Sequence, residues 1–318
     1  MGLSLLYIYN NNMQWLLLLS AVIPTMAQMY TPSEDGYRLY SITYATDISR
    51  NDFCTVMEGA WGWGYKVNVI GYEENEYAKY KLVDKVFALR KWLKKLPKRG
   101  RNVILFMDAY DVLVNAKPMD LLERFLDMER GVVFAAERGC CSTKWHMMHR
   151  RNTCDPDWPI DIMNYTTPWI NTGVFIGFQS ELEVLLDEAW IEYQQTKREL
   201  RGDQVDPYLS GSDQQLIGQL FAHGNGLRDD IGMALDLHSD MFKCMYQVQY
   251  EDTVDLVFHE QRVAFKGSAY TYPVVVHFNG PKHVKTKMME YFYDRASHPQ
   301  KIDDFPIANS TFLEVCVG

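Results

Sequence analysis

The sequence predicts an α/β protein: one domain built on a mainly parallel, Rossmann-type sheet flanked by helices. Three observations predict it. An unbroken apolar run, Val103–Met107, has the composition of a central strand buried on both faces rather than a half-wet one. Strand-like and helix-like patterns alternate through the first part of the chain, the order of a βαβ sheet with right-handed crossovers. The 318 residues, 47% hydrophobic and 14% aromatic, supply enough apolar surface for one elaborate core.

Taken in order, the first strand is expected at Leu39–Ala45, with Thr46 and Asp47 in the loop at its carboxyl end. A helix through Cys54–Gly59 leads to a second strand at Tyr65–Ile70. Between Tyr77 and Leu96, the residues Leu82, Val86, Leu89, Leu93 and Leu96 recur at helical steps and form one apolar face. That geometry alone sends Lys85 to the wet side. Pro97 and Gly100 end the helix.

The Val103–Met107 strand then delivers two carboxylates, Asp108 and Asp111, with Tyr110 between them. In open α/β sheets, ligands collect just beyond the carboxyl ends of the strands. Two acids there repel each other unless a cation sits alongside, and a hard divalent ion with oxygen ligands is the economical candidate.

Beyond it, Pro118 and Asp120 open a helix through Leu121–Met128, and Val132–Ala136 is another apolar strand. Residues 138–169 show no period and are rich in Cys, His, Trp and Pro, as in a functional loop. Asn171–Phe178 resumes a strand, with glycines where backbone approaches a ligand. Glu181–Arg198 reads as a helix, and Ser212 caps another that contains Leu216–Phe221. Tyr272–His277 is a strand ending in a histidine, followed by a turn at Asn279, Gly280 and Pro281.

Residues 13–27 hold an apolar core too short to span a bilayer, followed by small residues up to Ala27. A cleaved signal is expected, with an uncleaved anchor that includes Leu3–Tyr9 as the alternative. The remaining 28–318 form the single domain, its core at about 39–293, with no membrane span in the mature chain. The expected location is the secretory pathway, in the lumen of the endoplasmic reticulum or Golgi, or outside the cell.

Six cysteines fit an oxidising route, and Cys140 or Cys141 could pair with Cys154 across the long loop. Two sequons, at Asn164 and Asn309, become usable on that route. The net charge of -9 argues against a general nucleic-acid binder. It leaves room for a local pocket that takes one phosphorylated small molecule.

Eight stretches, in this order, carry a family resemblance: Ile42–Thr46, Lys85–Leu89, Phe106–Val112, Phe134–Glu137, Asn171–Gly177, Asp213-Gln214, Leu235-Asp236 and Val276–Pro281. They resemble the glycosyltransferase domain of the procollagen lysyl hydroxylases and, more distantly, the collagen galactosyltransferases. The resemblance implies a GT-A-like fold and a manganese-dependent enzyme that moves glucose or galactose from UDP-glucose or UDP-galactose. The acceptor it implies is a hydroxyl on a protein or glycan, including hydroxylysine or galactosyl-hydroxylysine of a collagen-like protein.

Asp108, Asp111 and His277 match the family's metal ligands. Tyr44, Thr46 and Tyr110 match its uridine side, Lys85 a cation reaching the diphosphate, and Asn279 and Gly280 the turn lining the nucleotide. Asp213 falls where the family has a run of aspartates near the transferred sugar, and Trp145 where it has an aromatic over the sugar site. Its animal members continue into hydroxylase modules, and this chain ends at Gly318, so no hydroxylase activity is expected.

Two alternatives stand beside this reading. One is a non-catalytic sugar-nucleotide or glycan-binding protein of the same fold. The other is a metal-dependent phosphoryl hydrolase, whose paired acids are separated by one residue rather than the two found here.

Overall fold

Strand-forming and helix-forming segments alternate as follows in a computed structural model of the chain. The first half runs β1 (Thr31–Pro32), β2 (Arg38–Tyr44), α1 (Asn51–Gly62), β3 (Val67–Ile70), α2 (Asp84–Leu93), β4 (Asn102–Asp108), β5 (Val112–Val114), α3 (Pro118–Asp127) and β6 (Val132–Glu137). Next come β7 (Trp169–Phe178), α4 (Gln179–Glu199), α5 (Asp213–His223), α6 (Leu227–Asp230) and β8 (Met233–Asp236). Then follow β9 (Phe242–Cys244), β10 (Leu256–His259), β11 (Arg262–Lys266), β12 (Tyr270–Thr271) and β13 (Val275–His277). The structure describes residues 31–72, 82–98, 101–139, 158–199, 212–223, 226–246, 256–259, 262–266 and 270–280, with short pieces at 285, 289, 306–307, 310–311 and 313–317. The expected signal segment, Trp145, Cys140, Cys141, Cys154 and Asn309 lie outside the described residues.

The main sheet has the order β1-β2-β4-β7-β6-β8, with β3 pairing β2 along the edge that β1 also touches. Strands β2, β3 and β4 are mutually parallel, and β8 is parallel to β6. Strand β7 lies antiparallel between β4 and β6. This is the expected mainly parallel sheet flanked by helices.

The unbroken apolar run of β4 has a direct cause. Val103, Leu105 and Met107 pack into one core cluster with α1, α3, β5 and β13. Ile104 and Phe106 face the other cluster, with α2, α4 and α5. Both faces are dry, so alternation with polar residues has no place in the strand.

Two three-stranded sheets and an antiparallel pair, Pro306–Ile307 with Ser310–Thr311, complete the described part. The first three-stranded sheet has the order β5-β13-β9, with β13 antiparallel to β5 and parallel to β9. The second is the antiparallel meander β10-β11-β12. A disulfide joins Cys54 of α1 to Cys316, residues 262 apart in sequence. Cys244 is reduced and buried. Among the described residues, no helix is long and apolar enough to cross a membrane.

Two sequence expectations for α2 need correction. Leu82 lies in a turn before the helix begins at Asp84, so it escapes the helical period and is 48% exposed. Lys85 does not face water; it is buried. The other apolar positions of that face, Val86, Leu89, Leu93 and Leu96, are buried as expected.

Candidate metal centre and active site

Asp108 is the last residue of β4 and Asp111 stands in the turn that leads to β5. The chain reverses there, and β5 then pairs with β13 so that Val112 lies opposite His277. The amide of Phe278 donates to the carbonyl of Asp111 at 2.7 Å, which locks the two ends together. This pairing brings a histidine from far along the chain back to the two acids. Nε2 of His277 lies 3.5 Å from Oδ2 of Asp108 and 3.6 Å from Oδ2 of Asp111. One ligand atom from each of the three residues falls within 4.8 Å of the others.

Strand β7 leaves room for this convergence by bulging. Phe134 of β6 pairs with Phe175 of β7, but the next residue, Ala135, pairs with Asn171. Thr172, Gly173 and Val174 are therefore extra on β7, a bulge that re-aims side chains beside the site. Gly173 sits against the imidazole, where a Cβ would lie 2.1 Å from Cε1 of His277 and 2.8 Å from Oδ2 of Asp108. The glycine in an otherwise apolar strand is thus a close approach.

Electrostatics follow from burial. Lys85 places its ammonium 2.9 Å from Oδ1 of Asp108 and 2.9 Å from Oδ2 of Asp213. Burial works against its charge, but the two carboxylates outweigh this and raise its pKa above the usual lysine value. Thr172 donates its hydroxyl to the same oxygen of Asp213, the first residue of α5. A second cation, Lys285, reaches Oδ2 of Asp111 at 2.7 Å. Burial alone would push the Asp111 carboxyl up, yet His277 and Lys285 outweigh it and hold it below the usual carboxylate range. His277 is likewise raised: burial opposes its charge and the neighbouring Asp111 and Asp108 overcome that.

The donor set suits a divalent ion on an observation independent of any resemblance. Nε2 of His277 is buried and has no hydrogen-bond partner, although it faces two carboxylates. A buried polar atom left so is costly unless something else satisfies it. An imidazole nitrogen and two carboxylate oxygens are ligands appropriate to manganese and its neighbours.

Trp145 lies outside the described residues, and the other expected residues sit as follows. Tyr44 is the register partner of Asp108 in the β2–β4 pairing, and its ring packs where Gly71 leaves space. Thr46 is exposed beyond the same strand end. Tyr110 is half-buried; its hydroxyl exchanges hydrogen bonds with the backbone of Asp47, and the Arg50 guanidinium lies 4.0 Å from its ring centre.

Asn279 turns its side chain inward: its oxygen accepts from the amides of Met245 and Tyr246, and its nitrogen donates to Glu137. Gly280 adopts φ +133°, open to glycine and strained for other residues. Asp213 is buried and joined to Asp108 through Lys85, which makes it more than a helix-terminal charge.

Sequence reasoning left out Lys285 and Thr172 as site residues and marked Gly173 only as one of the β7 glycines where backbone approaches a ligand. The polar Asn171-Thr172-Gly173 step inside an apolar strand was the signal available for the last two. Lys285 carried none beyond its position after His277.

A mainly parallel sheet with two aspartates at the end of β4 and in the turn after it, completed by a histidine from a later strand, defines the class: an α/β domain with a candidate divalent-metal site at its strand ends. The sequence matches the profile of the PLOD GT domain over residues 36–302, and the chain belongs to that family.

It is 27% identical over 221 residues to the multifunctional procollagen lysine hydroxylase and glycosyltransferase LH3 of Rattus norvegicus, covering 68% of this chain and 25% of that protein. The Caenorhabditis elegans multifunctional procollagen lysine hydroxylase and glycosyltransferase is 26% identical over 269 residues, 82% of this chain and 32% of that protein. The chain therefore spans about a quarter to a third of the length of these relatives. Among solved structures, a glycosyltransferase involved in glycosylation of the major capsid of PBCV-1 aligns with a TM-score of 0.45 and 14% identity, over 80% of this chain and 98% of that one. Membership of a glycosyltransferase family displaces the phosphoryl-hydrolase alternative.

Proposed function

We propose that this chain is a manganese-dependent glycosyltransferase that moves glucose or galactose from a UDP-sugar to an acceptor hydroxyl, that of hydroxylysine or galactosyl-hydroxylysine on a collagen-like protein. The observation that carries the proposal is the partnerless Nε2 of His277 aimed at Asp108 and Asp111. Asp108, Asp111 and His277 would hold the ion, which when bound supplies positive charge for the departing UDP diphosphate. Family membership and the names of the relatives support the reaction class.

Lys85 serves by holding the carboxylates of Asp108 and Asp213 in fixed positions; with its side chain 7% exposed it is a positioning cation rather than a phosphate contact. Lys285, more exposed, is the cation better placed to meet a diphosphate. Tyr44, Thr46 and Tyr110, at the carboxyl ends of β2 and β4, form the uridine side. Asn279 and Gly280 close the nucleotide site from the end of β13. Asp213 and Trp145 are assigned to the transferred sugar.

The same reading assigns the protein to the secretory lumen, which the Cys54–Cys316 bond supports because such bonds persist in oxidising compartments. Asn164 lies exposed in a turn, with Tyr165 and Thr166 exposed beside it. Protein secreted from cultured cells is expected to carry a glycosidase-removable mass there.

A donor screen tests the function. Purified chain with Mn²⁺ is expected to release UDP from UDP-glucose or UDP-galactose, faster with hydroxylysine peptides and galactosylated peptides added. Release that survives Asp111→Ala would sink the metal assignment. No release from any UDP-sugar with every acceptor present would favour a non-catalytic binder.

A further inference from the structure

Asn171 is held in one amide orientation from two sides. The backbone N–H of Gly173 donates to its Oδ1 at 2.9 Å. A backbone N–H can only donate, so the atom it meets must be the amide oxygen. The amide nitrogen of Asn171 in turn donates to Oε2 of Glu137 at 3.1 Å. Glu137 meets donors alone, since Asn279 also gives its Nδ2 to Oε2 and Gln214 gives its Nε2 to Oε1. All four side chains are buried or half-buried, and they come from β6, β7, α5 and the turn after β13.

The oxygen so fixed lies 3.0 Å from Nδ1 of His277. An amide oxygen cannot donate, so the proton of that hydrogen bond belongs to Nδ1. The other neighbour of this nitrogen, the thiol of Cys244, is 3.9 Å away and a weak partner. A metal-ligating histidine must be neutral, and with the remaining proton held on Nδ1 the lone pair is on Nε2, the atom that faces Asp108 and Asp111 and has no hydrogen bond of its own.

We propose that Glu137 and Asn171 form a relay that dictates which nitrogen of His277 ligates the metal, making both of them positioning residues for the metal centre. The inference rests on the reading of Asp108, Asp111 and His277 as metal ligands and adds the device that prepares one of them. Groups that orient a metal-ligating histidine typically affect metal affinity by about ten- to a hundredfold. Neither residue touches the ligand position itself, so the effect has to travel through the imidazole.

The test uses the full chain, ¹⁵N-labelled at histidine and loaded with ¹¹³Cd²⁺, with His277→Gln used to assign the signal. Wild type is expected to show cadmium coupling to Nε2 of His277 and a proton on Nδ1. Asn171→Ala should weaken Cd²⁺ binding by about ten- to a hundredfold. Glu137→Gln, which opposes an NH₂ to at least one neighbouring amide, should weaken it by roughly tenfold. Asn171→Asp keeps the volume and the acceptor facing Nδ1 but sets a carboxylate against Glu137, and should also bind more weakly.

Coupling to Nδ1 in wild type would overturn the relay, and that spectrum needs no variant to fold. Coupling to Nε2 with unchanged affinity in folded variants would overturn it while leaving the metal site standing. No coupling to either nitrogen of His277 in wild type would remove the metal site, and the relay with it.

Discussion

Gly173 faces His277 so closely that a Cβ in its place would stand 2.1 Å from the imidazole Cε1 and 2.7 Å from Nδ1. Contacts that short do not exist, so a side chain at this position must move the imidazole or the strand. The bulge of β7 and its one missing side chain are therefore conditions for His277 to reach the two aspartates.

Gly173→Ala is expected to fold but to lose much of its metal response. A ligand that binds only the native state adds about 2.7 kcal/mol at a hundredfold excess over its Kd. Wild type should show a rise in Tm of that origin on adding Mn²⁺, and the variant should show little at the same concentration. Thermal melts with and without the ion make the comparison.

Lys85→Met leaves Asp108 and Asp213 beside each other with no cation between them. Removing one partner of a buried charge cluster costs about 3–5 kcal/mol. Urea unfolding should show a loss of that order, and the double variant Lys85→Met with Asp213→Asn should recover part of it. Recovery is expected in stability alone and not in UDP release.

Lys285→Gln is expected to bind Mn²⁺ more tightly in the absence of nucleotide. The lysine neutralises the same Asp111 oxygen that the ion needs, at 2.7 Å, and must give it up. Partly exposed pairs are worth about 0.2–1 kcal/mol, so the gain should be roughly one and a half to fivefold. Calorimetric titration with Mn²⁺ alone, and then with UDP present, separates the competition from any contact with the diphosphate.

Asp111 should contribute to acid sensitivity. Its folded pKa lies below the usual 3.8, so the folded state binds this proton less tightly than the unfolded chain does. The contribution is fully present above about pH 3.8 and is lost as pH falls below it toward the depressed folded value. Metal-free wild type should therefore lose urea resistance more steeply than Asp111→Asn between about pH 4 and pH 2.

Much of this arrangement was legible in the sequence, for definite reasons. The apolar run of β4 marks a strand covered on both faces, and strand ends collect ligands, so Asp108 and Asp111 stood out. The strand ending in His277 carried the same signature. Strand direction was not legible, because an apolar run reads alike either way, and the antiparallel β7 emerged only from the pairing.

Three-residue strands such as β5 and β9 are too short for a period to show, yet their pairing with β13 sets where His277 falls. Helical spacing assigned Lys85 to solvent, because spacing ignores charges brought in by other elements; Asp108 and Asp213 supply the counter-charge that lets it be buried. The Cys54–Cys316 pair joins residues too far apart for any local rule to find.

Anomalous diffraction from crystals grown with Mn²⁺ and UDP locates the ion itself. One manganese peak is expected, bounded by the carboxylates of Asp108 and Asp111 and by Nε2 of His277, with the UDP diphosphate on its open side. A peak elsewhere, or UDP bound with no manganese between it and these three residues, would contradict the metal assignment.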